Sequence, residues 1–172
     1  MRAISFVAVA LGAGLLISCT PRVRPGVPPL SPKLEEIRIS RGPCFGFCPV
    51  YTVAVTPAGR VDFTGERHTA VLGPRARSAG RETYEALRKA LASARPLTGE
   101  ERAQPCPSAA TDMAQMTVEW IAPSGTRTAL TYNLGCREPA TAKLAQTVEA
   151  QLQALQVADW AAQKTWPGDT RG

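Results

Sequence analysis

Apolar and polar residues alternate along three short stretches in the first half of the chain, at residues 36–40, 51–56 and 60–65. Alternation with a period of two places every second side chain on one face, as in a half-buried β-strand. A Pro-Ala-Gly turn joins the second stretch to the third, so these two are expected to form a hairpin. A short strand at about residues 69–72 and a helix over residues 81–94, with apolar positions at helical spacing, complete this half.

The second half of the chain repeats this order. Residues 116–122 alternate, a Pro-Ser-Gly turn follows, and residues 126–134 return as a partner strand. A helix then opens at Glu138, with Pro139 suited to its first position. The chain is therefore predicted to be an α+β protein with a single domain over residues 34–162. Its antiparallel sheet would be built from two strand–strand–helix units, with the helices packed on one face.

The amino-terminal segment has the pattern of an exported protein. Met1 and Arg2 precede an apolar run over residues 3–17, which is shorter than the roughly 20 residues that a membrane-spanning helix needs. A Leu-Ile-Ser box directly before Cys19 resembles a bacterial lipoprotein signal. That resemblance implies that residues 1–18 are removed and that Cys19 carries diacylglycerol on its sulfur and an acyl chain such as palmitate on its nitrogen. The alternative is an ordinary cleaved signal with an incidental cysteine.

Residues 19–33 are predicted to be a lipidated, proline-rich tether. The five prolines between residues 20 and 32 are incompatible with a helix or a central strand. If extended, residues 20–36 reach roughly 50 Å. Thr20 after the cysteine resembles the signal for export to the outer membrane of Gram-negative bacteria. The expected location is therefore the cell envelope, facing the periplasm. Residues 163–172 are predicted to be a flexible tail.

Composition and charge narrow the function only slightly. The formal net charge of +6 is spread without a long run. A basic surface suits anionic headgroups or polysaccharide, but we favour a simpler explanation, a GC-rich genome that encodes arginine often. An exported location argues against nucleic acid. The sequence has no phosphate-binding loop and no dinucleotide fingerprint, so we expect no cofactor. His68 is the single histidine, and Asp62, Glu66 and Asp112 lack a pattern for acid–base catalysis, so a binding protein is expected rather than an enzyme.

Besides Cys19, the chain has four cysteines, at positions Cys44, Cys48, Cys106 and Cys136. An even number in an exported domain predicts two disulfides, for which three pairings are possible. We favour 44–48, where a glycine permits a turn, and 106–136, whose members flank the second hairpin. Two other roles stay open. The short pair could be a reducible redox site, and all four cysteines could bind zinc, although they lack the two close pairs typical of structural zinc sites.

Phe45 and Phe47 lie within this short loop, on either side of a glycine. If both are exposed on the turn, they form a possible contact surface for a partner. We favour the alternative, in which at least one of them fills the core beneath the turn.

Residues 41–51, Arg-Gly-Pro-Cys-Phe-Gly-Phe-Cys-Pro-Val-Tyr, resemble an uncharacterised bacterial family, domain of unknown function 6438. Its signature is Cys-x-Gly-x-Cys-Pro-x-Tyr before a hairpin. Residues 111–114, Thr-Asp-Met-Ala, resemble the Thr-Asp-Leu-Pro stretch of that family, with Met-Ala in place of Leu-Pro. The likeness covers about residues 36–161 and does not extend to the second cysteine pair. It implies that the first two cysteines of the domain pair with each other, and it supplies no activity and no catalytic residue.

Together these features predict a lipid-anchored envelope protein that binds another envelope component, either a protein or a polysaccharide. The membrane itself would be contacted through the lipid on Cys19. The alternative function is a thiol–disulfide redox protein that uses Cys44 and Cys48.

Overall fold

The structure is a computed structural model that describes residues 35–166. The predicted signal peptide (residues 1–18), the lipid-bearing Cys19, the tether (residues 19–33) and residues 167–172 lie outside the described part of the chain. Within the described part, no helix is both long enough and apolar enough to cross a membrane.

Seven strands form one sheet in the described chain. They are β1 (Glu36–Arg41), β2 (Val50–Val55), β3 (Arg60–Arg67), β4 (Gly73–Ser78), β5 (Glu101–Ala103), β6 (Gln115–Ile121) and β7 (Arg127–Asn133). Their order across the sheet is β4-β3-β2-β1-β6-β7-β5, so the first strand of the chain lies at the centre. Neighbouring strands are antiparallel except β5 and β7, which run parallel.

Three helices accompany the sheet: α1 (Gly80–Leu91), α2 (Pro139–Ala154) and the short α3 (Ala158–Ala161). In α1, Tyr84 and Leu87 are three residues apart, share one face and are fully buried. Helix α2 opens on a proline, which suits the first turn because that position needs no backbone N–H donor. Its buried positions follow the same helical spacing: Thr141, Leu144, Val148 and Leu152.

The core contains residues from one face of the sheet and from helices α1 and α2. Ile39 of β1 lies opposite Val53 of β2 on one side and Val118 of β6 on the other, and all three side chains are fully buried. Side chains two apart on a strand point to the same face, so Arg41 is directed to this same side. The central strand therefore supplies both apolar core residues and one cation to the same face.

The opposite face of the sheet is polar. Ser40 and Thr52 share a hydroxyl–hydroxyl hydrogen bond of 3.3 Å, and Thr117 and Thr131 share one of 3.1 Å. Strand register places Ser40 between Thr52 and Thr117, so hydroxyl groups follow one another across β2, β1, β6 and β7. Ion pairs on this face join Arg38, Glu119 and Arg127.

The predicted fold class was wrong. The sheet is a seven-stranded mixed sheet with three helices, and it does not divide into two strand–strand–helix units. Strand β1 joins the two hairpins, because it pairs with β2 on one edge and with β6 on the other. Strand β5 was not predicted because its three residues are all exposed and show no alternation. Its parallel pairing joins it to β7, which is far away in the sequence, so no local pattern indicates it.

The strand predicted at residues 69–72 was also wrong. The strand in this region is β4, which has the sequence Gly-Pro-Arg-Ala-Arg-Ser and is mostly exposed. It is an edge strand, and edge strands commonly carry charges and proline in place of an apolar pattern. Thr69 instead forms an isolated bridge with Gln163, so the described start of the predicted tail is paired with the domain.

The turn between β2 and β3 depends on Gly59. Its φ is 84°, in the left-handed region, and a Cβ atom there would lie 2.1 Å from the carbonyl carbon of Gly80. Gly125, in the turn between β6 and β7, has nearly the same φ of 85°, but a Cβ atom there would meet nothing within 4 Å. Substitution of alanine at each of the two glycines therefore distinguishes the cost of left-handed backbone strain from the cost of a steric clash.

We expect Gly59→Ala to destabilise the chain clearly more than Gly125→Ala. The second change adds only left-handed strain, about 1 kcal/mol, whereas the first adds a clash with the backbone and should total roughly 3 kcal/mol or more. The free energy of unfolding of both variants, measured with urea, checks this expectation. Equal losses in the two variants would contradict it.

Candidate functional site

The connection between β1 and β2, residues 42–49, will be called the motif loop. Arg41 and Tyr51, which flank it, are direct register partners across the two strands. The β1–β2 pairing therefore holds the two ends of the loop together, and the loop itself projects from one end of the sheet.

Two cysteines narrow the motif loop. The Cα atoms of Cys44 and Cys48 are 5.7 Å apart, a separation that suits a disulfide. Gly46 has a φ of 142° and its N–H donates to the carbonyl of Cys44 over 3.0 Å, which closes a tight turn between the cysteines. The chain reverses here because glycine tolerates this backbone conformation.

The two phenylalanines of the motif loop point away from the core. Phe45 is 90% exposed, and Phe47 is 37% exposed, with its ring nearly perpendicular to that of His68 and the two ring centroids 5.3 Å apart. His68 is half-buried and has a φ of 59°. These positions leave Phe45 almost entirely in solvent.

The structure brings the second motif stretch, residues 111–114, against the motif loop. The N–H of Phe45 donates to the carbonyl of Asp112 over 3.1 Å, and the N–H of Gly42 donates to the carbonyl of Gln115 over 2.9 Å. Met113, next to Asp112, is 43% exposed. Three exposed apolar side chains thus lie on two adjoining loops. We call them the end patch: Phe45, Phe47 and Met113.

The second cysteine pair lies beneath the stretch that carries Met113. The Cα atoms of Cys106 and Cys136 are 5.8 Å apart, again a disulfide separation. Gly135 precedes Cys136, and a Cβ atom at Gly135 would lie 2.6 Å from Cγ of Met113. The chain around Cys136 is therefore packed directly against the end patch.

The four cysteines form two pairs, and no group of three His, Cys, Asp or Glu side chains in residues 35–166 is arranged to hold a metal ion. The redox role considered for Cys44 and Cys48 stays a prediction.

A cavity of about 550 Å³ lies on the core side of the same sheet end, between the strands and α2. We call it the Arg41 cavity. Its polar side chains include Arg41, Tyr51 and Tyr132, with Glu149 on its exposed rim. Its apolar wall is formed by Met116, Leu134, Ala145, Val148 and Leu152.

Sequence reasoning missed the Arg41 cavity, although one signal was available. The alternation of β1 continues from Ile37 and Ile39 to Arg41, which places a guanidinium on the buried face. Arg41 is half-buried, and its Nε atom is buried without a hydrogen-bond acceptor among the described residues.

Burial raises the pKa values of the two tyrosines that line this cavity. Burial, together with the negative charge of Glu149, raises the pKa of Tyr51 to about 12, and the charge and hydrogen bonding of Arg41 oppose that shift. Burial likewise raises the pKa of Tyr132 well above its usual value. A tyrosine hydroxyl is protonated at neutral pH and can donate a hydrogen bond, and burial keeps these two protonated to a higher pH than usual.

Comparison with known proteins identifies the family of the domain. A family model described as "Domain of unknown function (DUF6438)" matches residues 35–154, which confirms the resemblance noted in the sequence. No curated protein matches the chain.

We expect none of the tyrosines of the folded chain to ionise near pH 10. The chain has three, and burial raises the pKa of Tyr51 and Tyr84 to about 12 and that of Tyr132 further. Unfolded tyrosines ionise near pH 10, so the free energy of unfolding should fall as the pH rises from about 10 through 12. Tyrosinate absorbance, followed together with urea unfolding, measures both effects.

The variant Tyr51→Phe provides the control for this titration. It removes one of the buried hydroxyl groups and should therefore reduce the loss of stability above pH 10. A normal tyrosinate titration of the folded chain near pH 10 would contradict the expectation.

Proposed function

The chain belongs to the DUF6438 family, and we propose that it is a lipid-anchored binding module of the bacterial cell envelope that contacts a second envelope protein through the end patch. The observation that carries this proposal is the 90% exposure of Phe45 in a loop whose two cysteines, Cys44 and Cys48, lie within disulfide distance of each other. The proposal assigns no catalytic activity to the domain.

The end patch has the composition of a protein contact. Aromatic residues and methionine are enriched at protein interfaces, and a few of them commonly supply most of the binding energy. Phe45, Phe47 and Met113 are all exposed. The N–H of Phe45 donates to the carbonyl of Asp112, next to Met113, and this hydrogen bond ties the two loops together. An exposed phenylalanine is unfavourable in water, so a partner groove that removes it from water gains its burial energy, about 2 kcal/mol.

The cysteines support this role by fixing the loops in advance. An oxidising envelope would convert both pairs to disulfides. Closing the longer loop, from Cys106 to Cys136, stabilises the fold by roughly 4 kcal/mol in the chain-entropy account, and closing the loop from Cys44 to Cys48 by roughly 2 kcal/mol. Loops held in their bound conformation lose less conformational entropy on binding, which raises affinity.

The anchor in this proposal comes from the amino-terminal sequence. Removal of residues 1–18 would leave Cys19 as the lipid-bearing first residue, followed by the tether of residues 19–33. Several acyl chains hold a protein on a membrane far more firmly than one. The domain would then stand in the periplasm, at the outer membrane of a Gram-negative cell.

We expect Cys19→Ser to abolish both the incorporation of labelled palmitate and the removal of the signal in the native host. The change eliminates the thiol that would carry the lipid. A matched control is the double variant Cys44→Ser/Cys48→Ser, which removes two thiols and should keep the label. Labelling that persists in Cys19→Ser would refute the anchor, whatever the fate of the domain.

The contact itself is tested by photo-cross-linking in the native host. A photoreactive amino acid in place of Met113 should give one discrete adduct, and Phe45→Ser in the same chain should remove that adduct, because the main apolar contact is lost. The control position is Leu97, which is 80% exposed. It lies two residues before Gly99, whose N–H donates to the hydroxyl of Thr128 at the opposite end of the sheet. It should give no adduct.

Two outcomes would contradict the protein contact. The first is equal adduct formation at Met113 and Leu97. The second is an adduct that glycosidases degrade and proteases leave intact, which would assign the partner to polysaccharide.

A further inference from the structure

We propose that the Arg41 cavity binds a small amphipathic carboxylic acid, with the carboxylate on Arg41 and the hydrocarbon part along α2. This inference is independent of the proposed contact through the end patch, because the cavity lies on the core side of the sheet.

The size and lining of the cavity suit a small ligand. Its volume of about 550 Å³ lies within the usual range of small-molecule sites, about 300 to 1,000 Å³. Such sites combine mostly apolar walls with a few polar groups that fix the orientation of the ligand. Here the apolar wall is supplied from the strand side by Met116 and Leu134, and from α2 by Ala145, Val148 and Leu152.

Arg41 supplies the polar end of the site. Its Nε–H is buried without an acceptor in the described part of the chain, and an unpaired buried donor is unfavourable. A guanidinium presents parallel N–H groups that match the two oxygens of a carboxylate. A bound carboxylate would therefore satisfy a donor that the fold leaves without an acceptor.

A buried Nε without an acceptor is not by itself evidence of a ligand site, as Arg77 shows. Its Nε also lacks an acceptor among the described residues, but its Nη1 donates to the carbonyl of Gln156 over 3.3 Å. Arg41 differs because it lines a cavity with an apolar wall, to which Tyr51 and Tyr132 also contribute.

Glu149 limits the negative charge that a ligand of the Arg41 cavity can carry. It stands on the exposed rim of the cavity, where its carboxylate repels additional negative charge. A ligand with one negative charge can pair with Arg41 and keep the rest of its surface apolar, whereas a dianionic phosphate would carry its second charge toward Glu149. The geometry thus favours a monocarboxylate over a phosphate monoester.

The test uses the full chain in lipid nanodiscs, with empty nanodiscs as the blank, and octanoate as the probe. Calorimetric titration should show that octanoate binds roughly 10- to 100-fold more tightly than octanol, which has the same hydrocarbon chain and no charge. Arg41→Gln should remove this difference between the two probes, because it removes the charged donor.

Three further variants make the test specific. Arg38→Gln, on the opposite face of the same strand, should keep the full preference for octanoate. Ala145→Phe should fill the cavity and abolish binding of both probes while Arg41 remains. Glu149→Gln should tighten octanoate binding by roughly two- to fivefold, a gain that partial unfolding cannot produce.

The proposal is overturned if octanoate shows no binding up to millimolar concentrations, or if octanol binds as tightly as octanoate. It is also overturned if Arg38→Gln removes the preference as Arg41→Gln does. Photo-cross-linking at Met113 is unaffected by any of these outcomes, so failure of this site and failure of the end-patch contact can be told apart.

Discussion

The pairing of β1 along both of its edges is the constraint on which the rest of the structure depends. The strand bonds to β2 on one side and to β6 on the other, so it joins two hairpins that are distant in sequence. Because both registers are fixed, Ile37 and Ile39 must face the core and Arg41 must follow them at the end of the strand. A shift by one residue would send the isoleucines to the polar face and remove the centre of the core.

The same strand end explains why two different surfaces lie close together. Arg41 and Tyr51 pair across the sheet and point toward α2, where they form the polar part of the cavity. The loop between them carries Phe45 and Phe47 outward. In residues 41–51, the side chains at the two ends therefore point to the interior, and those in the middle point to the solvent. The first cysteine pair lies in this loop, whereas Cys136 of the second pair is buried behind the stretch that carries Met113.

Local pattern was enough to predict the hairpins, because β2, β3, β6 and β7 alternate clearly between apolar and polar residues. It failed at the edges of the sheet. Strand β4 carries Pro74 and two arginines, and β5 has three exposed residues, so neither contains an apolar period to detect. The turn with Phe45 and Phe47 was visible in the sequence, but the sequence favoured a core position for at least one of them, and both are exposed. The cavity was missed, since it forms only when α2 is placed over Arg41 and Tyr51. Such contacts depend on tertiary packing that no local pattern records.

The central place of β1 also sets the order in which the chain can fold as it emerges amino end first. Residues 36–41 can pair with β2 early, but their second edge must wait for residues 115–121. During that interval β1 is an open edge, the condition in which chains mispair and aggregate. Cys44 meets Cys48 within the first hairpin connection, before Cys106 has appeared. If Cys44 and Cys48 form their disulfide first, Cys106 and Cys136 can then pair only with each other. The order of the cysteines along the chain would therefore favour the correct disulfide connectivity.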